Sequence, residues 1–118
     1  MENENAVAGL SALAHLGRLQ IFRLLVQAGP DGMAAGDIAR ATGSLANTLS
    51  TNLGILAHAG LVRSHREGRS IIYAAAYDQM RDLLAFLIED CCAGNAAICA
   101  PLGLTAAASG CGSTAASC

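Results

Sequence analysis

The sequence predicts a mainly α domain carrying a β-hairpin wing, and three observations predict it. Helical periodicity recurs in four segments before residue 60. It then gives way to two short strand-like runs around a Glu-Gly turn, and it returns once, over residues 77–90. The chain has 118 residues, 53% apolar and 14% charged, which suits one compact core.

Residues 5–15 are rich in Ala and Leu and predict a short first helix. From Arg18 to Gln27, Leu19, Phe22 and Val26 form one stripe with Ile21 and Leu25 beside it, the spacing of a buried helix face. Gly29 and Pro30 stop that helix, and Asp31-Gly32 turns the chain. Residues 34–42 predict a short third helix with Ala35, Ile38 and Ala39 on one face, ended by Gly43. Ser44 is the expected N-cap of the fourth. Between Leu45 and His58 the apolar set is Leu45, Leu49, Leu53 and Leu56, and the opposite face reads Asn47, Thr48, Ser50, Thr51, Asn52. After Gly60 the runs 61–66 and 70–74 read as strands, with Glu67-Gly68 between them. In the last helix Met80, Leu83, Leu84, Leu87 and Ile88 make a broad apolar stripe. Met33 and Met80 are read as core. Two short helices joined by a Gly-containing turn, followed by a basic hairpin, predict a winged helix-turn-helix.

Charge is segregated along this order. The formal total is −2, which taken alone argues against a polyanionic partner. Residues 40–76, however, hold Arg40, Arg63, Arg66 and Arg69 against Glu67 alone. The acidic excess lies on either side of that basic segment. The fourth helix presents small hydrogen-bonding side chains, and Asn suits the N6/N7 edge of adenine while Ser and Thr reach bases or phosphates. The hairpin would add Arg63, His65, Arg66 and Arg69 on the phosphate backbone, with four to six such contacts expected per dimer. Asn47, Thr48, Ser50, Thr51 and Asn52 with those four hairpin residues are the candidate DNA-binding set.

The five cysteines, Cys91, Cys92, Cys99, Cys111 and Cys118, all lie near the C-terminal end. An odd count after an acidic Met1-Glu2-Asn3-Glu4 start argues for reduced thiols in a cytoplasmic protein, not a disulfide framework. No apolar run approaches the ~20 residues that cross a bilayer, so no membrane association is expected. In an unbroken helix Cys91 and Cys99 would stand about 12 Å apart in rise, but Gly94-Asn95 and Pro101 let the chain fold back. Three soft thiolates suit a thiophilic ion, and a three-sulfur pyramid is the preferred geometry of trivalent arsenic or antimony. The same thiols could serve a redox or persulfide switch. They could also bind cadmium or zinc with Cys111 or Cys118 as a fourth ligand, or be inert small apolar groups. His15, His58 and His65 have no Cys or acid at dyad spacing, and there is no Cys-x-x-Cys pair, so an enzyme is not expected. Residues 93–118 lack charge and are mostly Ala, Gly, Ser and Thr. The expected division is a domain over 1–92 and a flexible tail over 93–118.

Two segments carry a family resemblance. Thr48-Leu49-Ser50-Thr51-Asn52-Leu53, with Leu56 to Val62, Arg66-Glu67-Gly68-Arg69 and Tyr73, resembles the recognition helix and wing of ArsR-type winged-helix repressors. Leu13 to Leu19 with Ile21-Phe22 is similar to that family's second-helix opening. Leu16 stands where the family usually has Pro, and Asn52 where it often has His. The resemblance implies a homodimer built on the first and last helices, and the broad stripe of residues 77–90 agrees with it. Such a dimer would bind operator DNA at two half-sites ~34 Å apart and need no cofactor to do so. One branch of the family senses arsenite through a vicinal Cys pair at the end of the last helix and a third Cys shortly after. Cys91, Cys92 and Cys99 resemble that set, with arsenite or antimonite as the implied effector. A thiol in the third helix and His on the last helix, which mark other branches, are absent.

Overall fold

The computed structural model describes residues 2–88. Five helices and three strands follow one another as α1 (Asn3–Leu13), α2 (Leu16–Ala28), β1 (Met33–Ala34), α3 (Ala35–Thr42), α4 (Ala46–His58), β2 (Val62–Glu67), β3 (Ser70–Ala75) and α5 (Tyr77–Leu87). The chain divides into a unit of Glu2–Met80 and a second that includes Arg81–Ile88. In the second unit α5 continues to Leu87, with Leu83 buried and Leu84 and Leu87 exposed.

In the first unit Ala12, Ile21, Phe22, Leu25, Ile38, Leu49, Leu53, Leu56, Leu61, Val62 and Ala75 form one core, and Met33, Tyr73, Tyr77 and Met80 pack against it. Both methionines are therefore at the core edge, as expected. The buried face of α2 is centred on Ile21, Phe22 and Leu25; Leu19, expected in the stripe, is exposed. Leu45 is also displaced from its expected place in the core. It is the N-cap of α4, with extended backbone, and is 77% exposed. Helical spacing does not apply to a residue outside the helix, so the run of leucines begins one member later, at Leu49. Ser44, the expected cap, instead shares a hydrogen bond between its Oγ and Thr42 Oγ1 at 2.8 Å. Its backbone N–H, with that of Gly43, returns to Ala39 C=O and closes α3.

The sheet has the order β1-β3-β2, with both pairings antiparallel. The hairpin register pairs Val62 with Ala75 and Glu67 with Ser70, so Gly68-Arg69 forms the two-residue turn, one position later than the Glu67-Gly68 expected. Strand β1 was not anticipated, because two residues are too few to show a period. It pairs Met33 with Tyr73 and Ala34 with Ile72. Gly32, immediately before it, has φ +75°, and a Cβ there would lie 2.3 Å from the Tyr73 carbonyl oxygen. Gly32→Ala is therefore expected to cost at least about 2 kcal/mol, read as a lowered denaturant midpoint.

One long-range hydrogen bond follows from a missing donor. Pro30 has no N–H to offer Val26 C=O four residues back. The Tyr77 hydroxyl donates to that carbonyl instead, at 2.8 Å, tying the end of α2 to the start of α5. Tyr77→Phe leaves the carbonyl without this partner and should destabilise the domain by about 1–3 kcal/mol in thermal unfolding.

Candidate nucleic-acid interface

Helices α3 and α4 with the turn at Gly43 form the helix-turn-helix, and the β2–β3 hairpin follows as the wing. The core packing of Leu49, Leu53 and Leu56 fixes the rotation of α4 and leaves Asn47, Thr48, Ser50 and Thr51 on the surface. The Thr51 hydroxyl donates to Asn47 C=O at 3.0 Å, leaving its oxygen lone pairs free to accept. Leu45 C=O receives the first helical bond, from Leu49 N–H, and its side chain gives the helix no cap.

Asn52 is placed differently from the other four. It is 5% exposed, among the core residues of α4. Three residues after Leu49 and four before Leu56, it occupies the same helical stripe as the leucines. The first turn of α2 approaches it closely, since a Cβ at Gly17 would lie 3.3 Å from Asn52 Nδ2. Asn52 thus leaves the solvent-facing row in which the sequence placed it. At the same helix start His15 is the N-cap, its Nδ1 accepting from Arg18 N–H at 3.4 Å.

The wing projects beyond the core. In β2 only Val62 is buried, and every residue from Arg63 to Glu67 is exposed. Alternation along the strand places Arg63, His65 and Glu67 on one face and Arg66 on the other, with Arg69 in the turn. His65 Nε2 lies 3.3 Å from Glu67 Oε1. Arg63 Nη2 donates to Asp78 Oδ2, on the first turn of α5, at 2.7 Å. That hydrogen bond holds the Asp78 carboxyl below its usual range against the opposing effect of burial, and it raises Arg63 above its own. Arg40 is paired within α3 to Asp37. Arg66 and Arg69 have no acidic partner among the described residues. The structure thus gathers Asn47, Thr48, Ser50 and Thr51 on α4 and Arg63, His65, Arg66 and Arg69 on the wing. Two of the wing cations already face carboxylates.

A family model described as a helix-turn-helix domain matches residues 13–65. The HTH-type transcriptional regulator YgaV of Escherichia coli is 33% identical over 84 residues, 71% of this chain and 83% of that protein. The homodimeric winged helix-turn-helix DNA-binding domain of a possible ArsR-family transcriptional regulator from Mycobacterium bovis is 36% identical. It covers 72% of this chain and 77% of its own, with a TM-score of 0.61. The chain belongs to the ArsR family of winged helix-turn-helix transcriptional regulators. An ArsR-like regulator from Rhodococcus, 23% identical, shares the fold over 84% of this chain and 90% of its own, with a TM-score of 0.65.

As an ArsR-family member the protein is a DNA-binding transcriptional regulator and not an enzyme. No helix among the described residues is long and apolar enough to cross a membrane. The predicted thiol site, Cys91, Cys92 and Cys99, lies outside the described residues. Among the described residues no cluster of His, Cys, Asp and Glu could hold a metal ion. The contribution of Asp78 to the wing was not anticipated from sequence. Its only signal there is an acid at the start of a helix, which reads as an ordinary dipole partner.

Proposed function

We propose that this protein is a homodimeric repressor that holds operator DNA while free of metalloid and releases it when arsenite or antimonite joins Cys91, Cys92 and Cys99. The observation that carries the DNA half is the exposed row Asn47, Thr48, Ser50 and Thr51 on a core-fixed helix, beside a projecting wing with Arg66 and Arg69 unpaired. Helix α4 enters the major groove and reads base edges, while the wing arginines grip phosphate.

Dimerisation is supported by apolar side chains that one copy leaves uncovered. Val7 on α1 is 63% exposed, with Leu10 one turn on, and α5 exposes Leu84 and Leu87. The Mycobacterium bovis relative is homodimeric. Two unpaired wing arginines per subunit are also a weak grip, so tight binding needs both subunits.

The effector half is supported by the three thiols that follow the last helix, a soft donor set. Arsenite, As(OH)3, exchanges three As–O bonds for three As–S bonds, and the thiol protons leave with the hydroxyls as three waters. Closing Cys99 back onto Cys91 and Cys92 shifts the last helix and re-spaces the two recognition helices. Arsenite titration of the protein on a duplex selected from a random pool tests this. Release at micromolar arsenite supports the reading. Release only by oxidants or by cadmium or zinc would assign the thiols to a redox or tetrahedral-metal switch instead.

A further inference from the structure

Arg63 is the wing cation closest to the core: Val62 beside it is buried, and its cross-strand partner is Ala74. Its guanidinium is bound to Asp78 Oδ2 at 2.7 Å. The second carboxylate oxygen, Oδ1, is buried without a hydrogen-bond partner. A carboxylate with one oxygen turned into the protein is fixed in place, so the long arginine comes to Asp78. We propose that Asp78 cancels Arg63 as a DNA-binding charge, so that the wing's phosphate grip is carried by Arg66 and Arg69.

The inference rests on the DNA-binding reading and concerns how tightly that site holds. Affinity for duplex DNA rises with each phosphate whose condensed cation is released. If Arg63 stays on Asp78, it releases none. If it swings to a phosphate, the cation released there is matched by one taken up at the bared Asp78 carboxylate. In both cases the net contribution of Arg63 is close to zero while Asp78 is present. Arg66 and Arg69 bear no such debit. Asp78 is thereby a residue that sets a ceiling on affinity, keeping the complex within reach of an effector that must dissolve it.

The test is the salt dependence of affinity for one selected duplex, measured by fluorescence anisotropy on wild type, Arg63→Ala, Asp78→Asn and the double variant. Asp78→Asn should steepen the log–log slope by about 1.8 per dimer and tighten binding about thirtyfold at 0.15 M salt, taking about 0.9 per phosphate and two subunits. Arg63→Ala alone should leave the slope unchanged, and adding it to Asp78→Asn should remove the whole gain. Asp78→Ser, which keeps a helix-start residue, should match Asp78→Asn and stands in for it if that variant folds poorly. A merely structural role for the pair would lower thermal stability without moving the slope. The inference is overturned if Arg63→Ala flattens the wild-type slope by about 1.8 or if neither Asp78 variant steepens it. Failure of the wild type itself to select any duplex would instead remove the DNA-binding reading on which the inference stands.

Discussion

Serine at Cys91, Cys92 and Cys99 together should leave affinity for the selected duplex within about twofold of wild type, yet abolish its release by arsenite. The reason lies in what the substitution removes. A serine hydroxyl is nearly isosteric with a thiol but is a hard oxygen donor with no preference for trivalent arsenic. The DNA-binding set, on α4 and the wing, is untouched. An effector can shift the DNA equilibrium only by its differential affinity for the two states, typically 1–3 kcal/mol, or about 5–150-fold in affinity. Wild type should therefore lose affinity by a factor in that range, and the triple variant by none. Each single serine variant leaves two sulfurs and should move the release midpoint to higher arsenite. Cys111→Ser with Cys118→Ser should leave the midpoint where it is. Competition binding at graded arsenite, under a reductant that does not itself bind the metalloid, gives all of these values.

Replacing Arg66 and Arg69 together with Ala should weaken DNA binding about a thousandfold at 0.15 M salt. Four phosphate contacts per dimer, each contributing about 0.9 to the log–log salt slope, account for a loss of that size. The slope should flatten by about 3.6, and the loss should be nearly the same for selected and random duplexes, because phosphate contacts carry no sequence information. Folding should be unchanged, since β2 beyond Val62 buries nothing and the Arg69 turn is exposed. Substitutions at Asn47, Thr48, Ser50 or Thr51 should behave in the opposite way, lowering the ratio of selected to random affinity while leaving the slope alone.

Much of this architecture was legible because it rests on periodicity and punctuation. Leu49, Leu53 and Leu56 set the rotation of α4, Gly43 ends α3 in a left-handed conformation, and the change from helical to alternating period marks the wing. What escaped depends on partners distant in sequence. Strand β1 exists only because β3 lies beside it. The Arg63–Asp78 pair spans 15 residues and the hydrogen bond from Tyr77 to Val26 spans 51. The second of these had a signal that could have been used, since Pro30 leaves a helix carbonyl without its donor. Asn52 and Leu45 show the opposite failure. Polarity suggested that Asn52 faces solvent and apolarity that Leu45 is buried. Position decided otherwise: Asn52 shares the leucine stripe, and Leu45 lies outside the helix that would have turned it inward.

Native mass spectrometry of the protein on its selected duplex, titrated with arsenite, tests the central claim in one measurement. The account predicts a dimer–duplex complex that gives way to free duplex and a dimer carrying two arsenic atoms, with neither change in the Cys91, Cys92, Cys99 serine variant. A complex that persists with arsenic bound, or that dissociates equally in the serine variant, would contradict it.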